Sequence, residues 1–275
     1  MNLVLNYQLR WAYIDLSSTI YSKDDRDMRE VTYDFSGKRF VITGASSGMG
    51  RQIAIELAEA GAFILAIARG ENKLQELRAL YPVQIKYAVC DVTNKGALES
   101  NIRDFVCEKG KIHGAVHAAG ISDLTPIKMY NEKMAHEIMD TSFWAGAHLI
   151  QICTKNKYSE DGMSNVVFSS VCAHSGEKGM FAYAGAKAAL QIGVKSIAKE
   201  IAGRNHRINT ISPGWVNTGL SDKIGQISNV DEVVEKHLLG SGSIEDVSGV
   251  VLFLLSDRAR WITGTDIVVD GGYLA

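Results

Sequence analysis

Tyr183 and Lys187 are spaced to work as a pair. Four residues apart on a helix, their side chains share one face, with Cβ atoms roughly 5–6 Å apart. A phenol ordinarily titrates near pH ~10, too high to exchange protons readily at neutrality. An ammonium one turn away favours the phenolate and would bring the tyrosine toward the range a general acid or base needs. The plainer reading of the same spacing is a packed tyrosine and a solvated lysine. The pair closes the stretch Ser170–Lys187, which starts where the apolar run Val166-Val167-Phe168 ends and finishes in a segment rich in Ala and Leu.

A second cluster is Gly44-Ala45-Ser46-Ser47-Gly48-Met49-Gly50. It lies between the strand-like run Arg39–Thr43 and the helical stripe Ile53, Ala54, Leu57, Ala60. Its three glycines lack Cβ where a backbone must approach a pyrophosphate, and the following helix offers free N–H groups to the anion. The same residues also satisfy Gly-x-Ser-x-Gly, the nucleophile turn of a serine hydrolase, with Ser46 as nucleophile. That alternative needs a late histidine, and the last one, His237, falls in a helical pattern.

The elements that must hold these clusters follow from periodicity. Short apolar runs at 39–43, 63–67, 85–89, 114–117, 164–169, 207–211 and 266–269 read as strands. Helical stripes separate them, among them Leu74, Leu77 and Leu80, and longer ones near 94–108, 127–155, 183–203 and 244–256. Strands alternating with helices predict an α/β fold, a doubly wound parallel sheet of seven strands in a single Rossmann-type domain over 36–275. Residues 1–35 form an N-terminal extension. Leu3, Leu5, Tyr7, Leu9, Trp11 and Tyr13 alternate as in a strand, while Leu5, Leu9, Leu16 and Ile20 suit a helix equally. Its aromatic content predicts docking on the domain or on a neighbouring subunit.

Composition removes several classes. The 275 residues are 46% hydrophobic with a net charge of −2, which does not fit a basic nucleic-acid binder. Cys90, Cys107, Cys153 and Cys172 are scattered and suit reduced thiols, not a disulfide frame or a metal site. No apolar run approaches the roughly 20 residues of a membrane span, and the first ten residues lack a secretory pattern. The expectation is a cytoplasmic protein with no metal and no membrane or nucleic-acid partner.

The motifs, taken together, carry a resemblance. Thr43–Gly50, Ala118-Ala119-Gly120, Ser170 thirteen residues before Tyr183, Tyr183-x-x-x-Lys187, Arg207–Gly214 and Thr263-Gly264 to Asp270-Gly271-Gly272 occur in order. Over residues 37–275 the chain resembles the short-chain dehydrogenase/reductase family. The resemblance implies an NAD(P)(H)-dependent enzyme that interconverts a ketone and a secondary alcohol by hydride transfer. It implies that Ser170 hydrogen-bonds the substrate oxygen, Tyr183 passes the proton, and Lys187 holds the nicotinamide ribose and lowers the tyrosine pKa. The family's fourth catalytic residue, an asparagine holding a water in a relay to the lysine, aligns with Ser142. Either the serine hydroxyl supports that water or the relay is rerouted. Gly44, Ser46, Ser47, Gly48, Met49 and Gly50 would wrap the pyrophosphate and adenosine ribose. Asp91 and Val92 would contact adenine, Ala118, Ala119 and Gly120 would line the wall, and Val216 and Thr218 would hold the carboxamide. His117-Ala118 stands where the family usually has Asn-Asn.

Cofactor choice turns on the end of the second strand, where an acidic residue would pair with the ribose 2′-OH of NAD. This chain has Ala68-Arg69 there. A guanidinium grips a 2′-phosphate, so NADP(H) is favoured over NAD(H), although Arg69 stacked on adenine would serve NAD equally. The loop from Gly219 to about Gly240 is expected to cover the substrate. Trp215, Leu220, Ile224 and Ile227 opposite Met180 and Phe181 suggest an apolar pocket with no charged anchor. Such a pocket suits a small apolar ketone or alcohol. The first expectation is a hydroxysteroid dehydrogenase, 20β-type included, because the long leader is similar to that of bacterial members. The alternatives are a β-ketoacyl reductase, or a sugar oxidoreductase, since Gly176-Glu177-Lys178-Gly179 is similar to segments of sugar-acting members. A catalytically silent dinucleotide sensor is a further reading. The family's assembly through its long helices and C-terminal segment implies a homotetramer.

Overall fold

Seven short apolar runs pair side by side in the computed structural model, which describes residues 31–219 and 230–275. The extension up to residue 30, and Leu220, Ile224 and Ile227 of the expected pocket, lie outside the described residues. In chain order the elements are β1 (Arg39–Thr43), α1 (Gly48–Glu59), β2 (Phe63–Ala68), α2 (Glu71–Leu80), β3 (Ile85–Val89), α3 (Lys95–Lys109) and β4 (Ile112–His117). They continue with α4 (Glu132–Met139), a π-helical turn (Asp140–Trp144), α5 (Ala145–Cys153), β5 (Ser159–Phe168), the short α6 (Cys172–Ser175) and α7 (Phe181–Ile201). After β6 (Arg207–Pro213) come α8 (Val230–Glu235), α9 (Ile244–Leu255) and β7 (Asp266–Val269).

The strands form one sheet in the order β3-β2-β1-β4-β5-β6-β7, parallel throughout. Alternate residues of a strand face opposite sides, and both sides are apolar because helices cover both. Phe40 and Ile42 of β1 pack with Ile53 and Leu57 of α1 and Val251 and Leu254 of α9. Val41, between them, packs with Ile102 and Phe105 of α3 and Leu149 of α5. The strand order reverses between β1 and β4, and that switch point opens a crevice at the carboxyl ends of the strands.

The compact unit spans Tyr33–Ala275: Phe35 is buried against Phe40 and its N–H donates to Ala60 O at 2.8 Å. One expectation is corrected. The helix expected over 127–155 is interrupted. It starts as a 3-10 turn at Ile127–Met129, and a π turn separates α4 from α5. A 3.6-residue stripe continues through a π turn, so periodicity alone does not reveal it.

Candidate active site

β5 delivers the first part of the site. Its ladder continues past Phe168 through Ser169 N–H to Ile211 O (2.8 Å) and Val171 N–H to Pro213 O (3.1 Å), which fixes Ser170 between them at the sheet's carboxyl edge. α7 crosses that edge and brings Tyr183 and Lys187 to it. The helix is tied down at the lysine: Ser169 Oγ donates to Lys187 O at 3.1 Å, and Lys187 Nζ donates to Phe168 O at 2.6 Å. Ser170 lines the same cavity wall as Tyr183 and favours its ionised form, and Lys187 Nζ stands 5.6 Å from the centre of the Tyr183 ring. All three side chains are buried.

The expected lowering of the tyrosine pKa is not met in the protein alone. Burial pushes the Tyr183 phenol up, Cys172 adds to this, and Ser170 only opposes it. Burial likewise draws Lys187 down to about 8. Neither charge is solvated here, so both groups lean toward neutrality. Unfolded Lys187 titrates near 10.5 and folded Lys187 near 8, so between those values the unfolded chain holds the extra proton and stability rises with pH. Below pH 8 the full penalty is present, on the order of 3 kcal/mol. The advantage of Lys187→Met over the native chain should therefore shrink by about that amount from pH 7 to 10.5. Urea midpoints measured across that range check it, and a gap that does not change with pH would contradict it.

Ser142, in the π turn, is fully buried and its Oγ has no hydrogen-bond partner among the described residues. A Cβ placed on Gly120 would stand 3.6 Å from Lys187 Nζ and 3.8 Å from Ser142 Oγ. Lysine head and serine hydroxyl therefore border one small volume beside that glycine.

The glycine turn is built as a cradle. Gly44 has φ +71°, and a Cβ on it would lie 2.6 Å from Ala119 N; a Cβ on Gly50 would lie 2.5 Å from Gly44 O. These two glycines are also demanded by the protein's own backbone. Gly48, with φ +55°, has among the described residues only the Thr218 side chain nearby, at 3.6 Å. It opens α1, whose N-cap Ser47 makes no side-chain capping bond. The first N–H groups of α1 are thus available to an anion, which fits a dinucleotide pyrophosphate. Ala68 is buried at the end of β2 and Arg69 is exposed beyond it. Asp91 is exposed, Val92 buried. The Asp91 carboxyl is held below its usual range by Thr93 hydrogen bonds first and the Arg69 charge last.

A cavity of about 600 Å³ joins the two halves. Met49, Val216 and Thr218 line its dinucleotide side, and Ser170 and Tyr183 its wall. Met180 and Trp215 line it as expected, with Leu124 and Val171.

Comparison with known proteins agrees with this architecture. A family described as Enoyl-(Acyl carrier protein) reductase matches residues 44–274. The 3-oxoacyl-(acyl-carrier-protein) reductase FabG of Rickettsia conorii is 33% identical over 246 residues, covering 88% of this chain and 98% of that protein. The structure of a short-chain type dehydrogenase/reductase from Mycobacterium ulcerans superposes with a TM-score of 0.81 at 28% identity, covering 88% of this chain and 91% of that one. One from Mycobacterium marinum gives 0.80 at 30%, covering 87% and 96%. The chain belongs to the short-chain dehydrogenase/reductase family. It is accordingly an NAD(P)-dependent oxidoreductase of the CH–OH/C=O class.

Family membership removes the hydrolase alternative, and the geometry agrees. No described histidine or carboxylate bonds Ser46, while His237 Nε2 accepts from Trp215 N–H at 2.9 Å and its other nitrogen faces Val233 O. Two expectations about the substrate side of this dehydrogenase/reductase need revision. Phe181 is 62% exposed and stacks edge-on against Tyr130, away from the cavity. The cavity is not purely apolar: Glu177, Lys178, Glu232, Lys236 and Tyr273 also line it. Tyr273 donates to the Glu177 carboxylate, which this bond holds below its usual range. The Gly-Glu-Lys-Gly segment was the sequence signal for Glu177 and Lys178. Nothing local marked Tyr273, which arrives through the Gly271-Gly272 turn. Among the described residues no cluster could hold a metal ion and no helix is long and apolar enough to cross a membrane.

Proposed function

We propose that this family member is an NADP(H)-preferring carbonyl reductase whose substrate is a 3-oxoacyl thioester, with Tyr183 as proton donor. The observation that carries the reading is the cavity wall. Ser170 and Tyr183 line the cavity together on one side, and the open N-terminus of α1 stands on the other. Gly44, Ser46, Ser47, Gly48, Met49 and Gly50 would hold the pyrophosphate and ribose, Asp91 and Val92 the adenine side, and Ala118 to Gly120 the floor. Val216 and Thr218 would face the nicotinamide end. When bound, the dihydronicotinamide supplies hydride to the carbonyl carbon. Ser170 Oγ–H then orients the carbonyl oxygen, and Tyr183 donates its proton to that oxygen as negative charge develops there. Lys187 would then restore a proton to the Tyr183 oxygen and regain one from solvent. Its depressed pKa suits this role, because a group near 8 exchanges protons readily at cellular pH.

The substrate class rests on the cavity's two characters and on the relatives. Met180, Trp215, Val216 and Leu124 offer an apolar wall for an acyl chain. Exposed Lys178 and Lys236 at the rim suit the polar arm and acidic carrier of a thioester. A hydroxysteroid, the first expectation from sequence, fills the apolar wall but leaves that charged rim unused. Exposed Phe181 and Ile192 on α7 and exposed Trp144 in the π turn support assembly as a homotetramer.

The test is nicotinamide absorbance with NADH and NADPH in parallel against a 3-oxoacyl thioester, a C20-keto steroid and a keto-sugar. Turnover of the thioester with NADPH is expected. Arg69→Ala should raise the NADPH KM about ten-fold and leave NADH within two-fold, since it removes one charge-assisted phosphate contact. Turnover of the steroid alone would overturn the substrate class, and equal loss with both cofactors would overturn the role of Arg69.

A further inference from the structure

In an α-helix the Ala145 N–H would bond the carbonyl four residues back, Thr141 O. Here it bonds Asp140 O, and the chain bulges into the π turn. A buried carbonyl released in this way needs another donor. His117, at the end of β4, provides it: Nε2 lies 3.0 Å from Thr141 O. The other ring nitrogen, Nδ1, lies 2.9 Å from Thr43 Oγ1 at the end of β1. A carbonyl only accepts, so Nε2 carries the proton and Nδ1 accepts from the threonine hydroxyl. Burial, then the nearby Lys187 charge, draws His117 down to about 4, which keeps this neutral tautomer at all ordinary pH values. The ring occupies space left by Gly146 on α5, where a Cβ would come within 3.0 Å of it. The residue after Thr141 is Ser142, whose partnerless hydroxyl shares the volume beside Gly120 with Lys187 Nζ.

We propose that His117 is a positioning residue of the proton path: through Thr141 O it holds the π turn that presents the Ser142 hydroxyl beside Lys187. The sheet thereby fixes a helix defect, and the defect aims the hydroxyl. The proposal rests on the reading of Tyr183 and Lys187 as the proton-transfer pair.

The experiment compares the native chain with His117→Leu, which fills the ring's place without a donor, and His117→Gln, which offers a donor to Thr141 O. Ser142→Ala and the double variant complete a cycle. Cofactor dissociation constant, KM, kcat and the pH profile of kcat are measured for each. His117→Leu should lower kcat about ten- to a hundredfold, as expected for misplacing a group on the path, with KM and cofactor affinity within two-fold. Its pH profile should shift, and His117→Gln should recover part of the loss. Ser142→Ala should reproduce the loss and the double variant should add nothing, because both act on one path. Losses that multiply in the double variant, or a His117→Leu protein that only melts earlier, would overturn the proposal. If His117→Leu does not fold, Gly146→Ala presses on the same ring, and an unchanged kcat and pH profile there would overturn it equally. A native chain that turns over no ketone rejects the underlying reading instead, so the two failures are separable.

Discussion

Tyr183→Phe is expected to lower kcat by about 10²–10⁴-fold, the usual worth of a positioned acid–base group, while KM and the cofactor dissociation constant stay within about two-fold. The reasoning is local. The Tyr183 ring packs with Ile138, Met180 and Ala186, and phenylalanine keeps every one of those contacts. What disappears is a hydroxyl whose ionisation burial already opposes and Ser170 favours. The fold should therefore lose little: the hydroxyl is worth about 1 kcal/mol net. Single-turnover hydride transfer at saturating cofactor separates the cases. A rise in KM with kcat preserved would show that the hydroxyl only binds substrate and passes no proton.

The second large effect is Gly44→Ala. The left-handed backbone at φ +71° penalises any Cβ, and this one would sit 2.6–2.8 Å from the backbone of Ala118 and Ala119. Relief requires the ends of β1 and β4 to separate, because no flexible side chain is there to yield. Strain and overpacking together predict a loss of about 3–5 kcal/mol. Gly48→Ala is the matched control. It shares the left-handed backbone, but its Cβ would meet only Thr218 at 3.6 Å, so its stability loss is about 1–2 kcal/mol. On the proposed reading its Cβ would instead intrude where a pyrophosphate is held. Urea melts and fluorescence titration with NADPH should thus invert the ranking: Gly44→Ala worse in stability, Gly48→Ala a folded protein with weak cofactor binding. Equal stability losses at the two positions would refute the backbone-clash argument.

Much of this was legible because parallel strands buried on both faces are written as continuous apolar runs. Arg39–Thr43, Ile85–Val89 and Asp266–Val269 emerge with the boundaries that periodicity sets. β5 starts earlier than expected, at Ser159, because its first residues (Ser159, Glu160, Asp161) are polar and its register with β4 shifts between Ile112 and Gly114. The Tyr183–Lys187 pair was legible from helix spacing and Ser170 from the family resemblance, and the fold brings the three to one sheet edge. His117 was visible only as a departure from a motif. Its bonds reach across 74 residues to Thr43 and 24 residues to Thr141, and no local pattern encodes such pairings. The polar lining of the cavity was missed for the same reason: Tyr273 and Glu177 are 96 residues apart.

The strand order has a consequence for how the chain matures. β1, β2 and β3 are complete once residue 89 has been made, but the far side of β1 pairs only with β4, at Gly114–His117. At synthesis rates of about 5–20 residues per second, those 28 residues take roughly 1–6 seconds to follow. For that interval Phe40-Val41-Ile42 presents an open apolar edge, the kind that captures strands of other chains. The same strand runs into Gly44, so the glycine turn is shaped last on the side facing Ala118 and Ala119. A nascent chain halted before residue 112 would carry a complete nucleotide motif in sequence and an aggregation-prone ribbon in space.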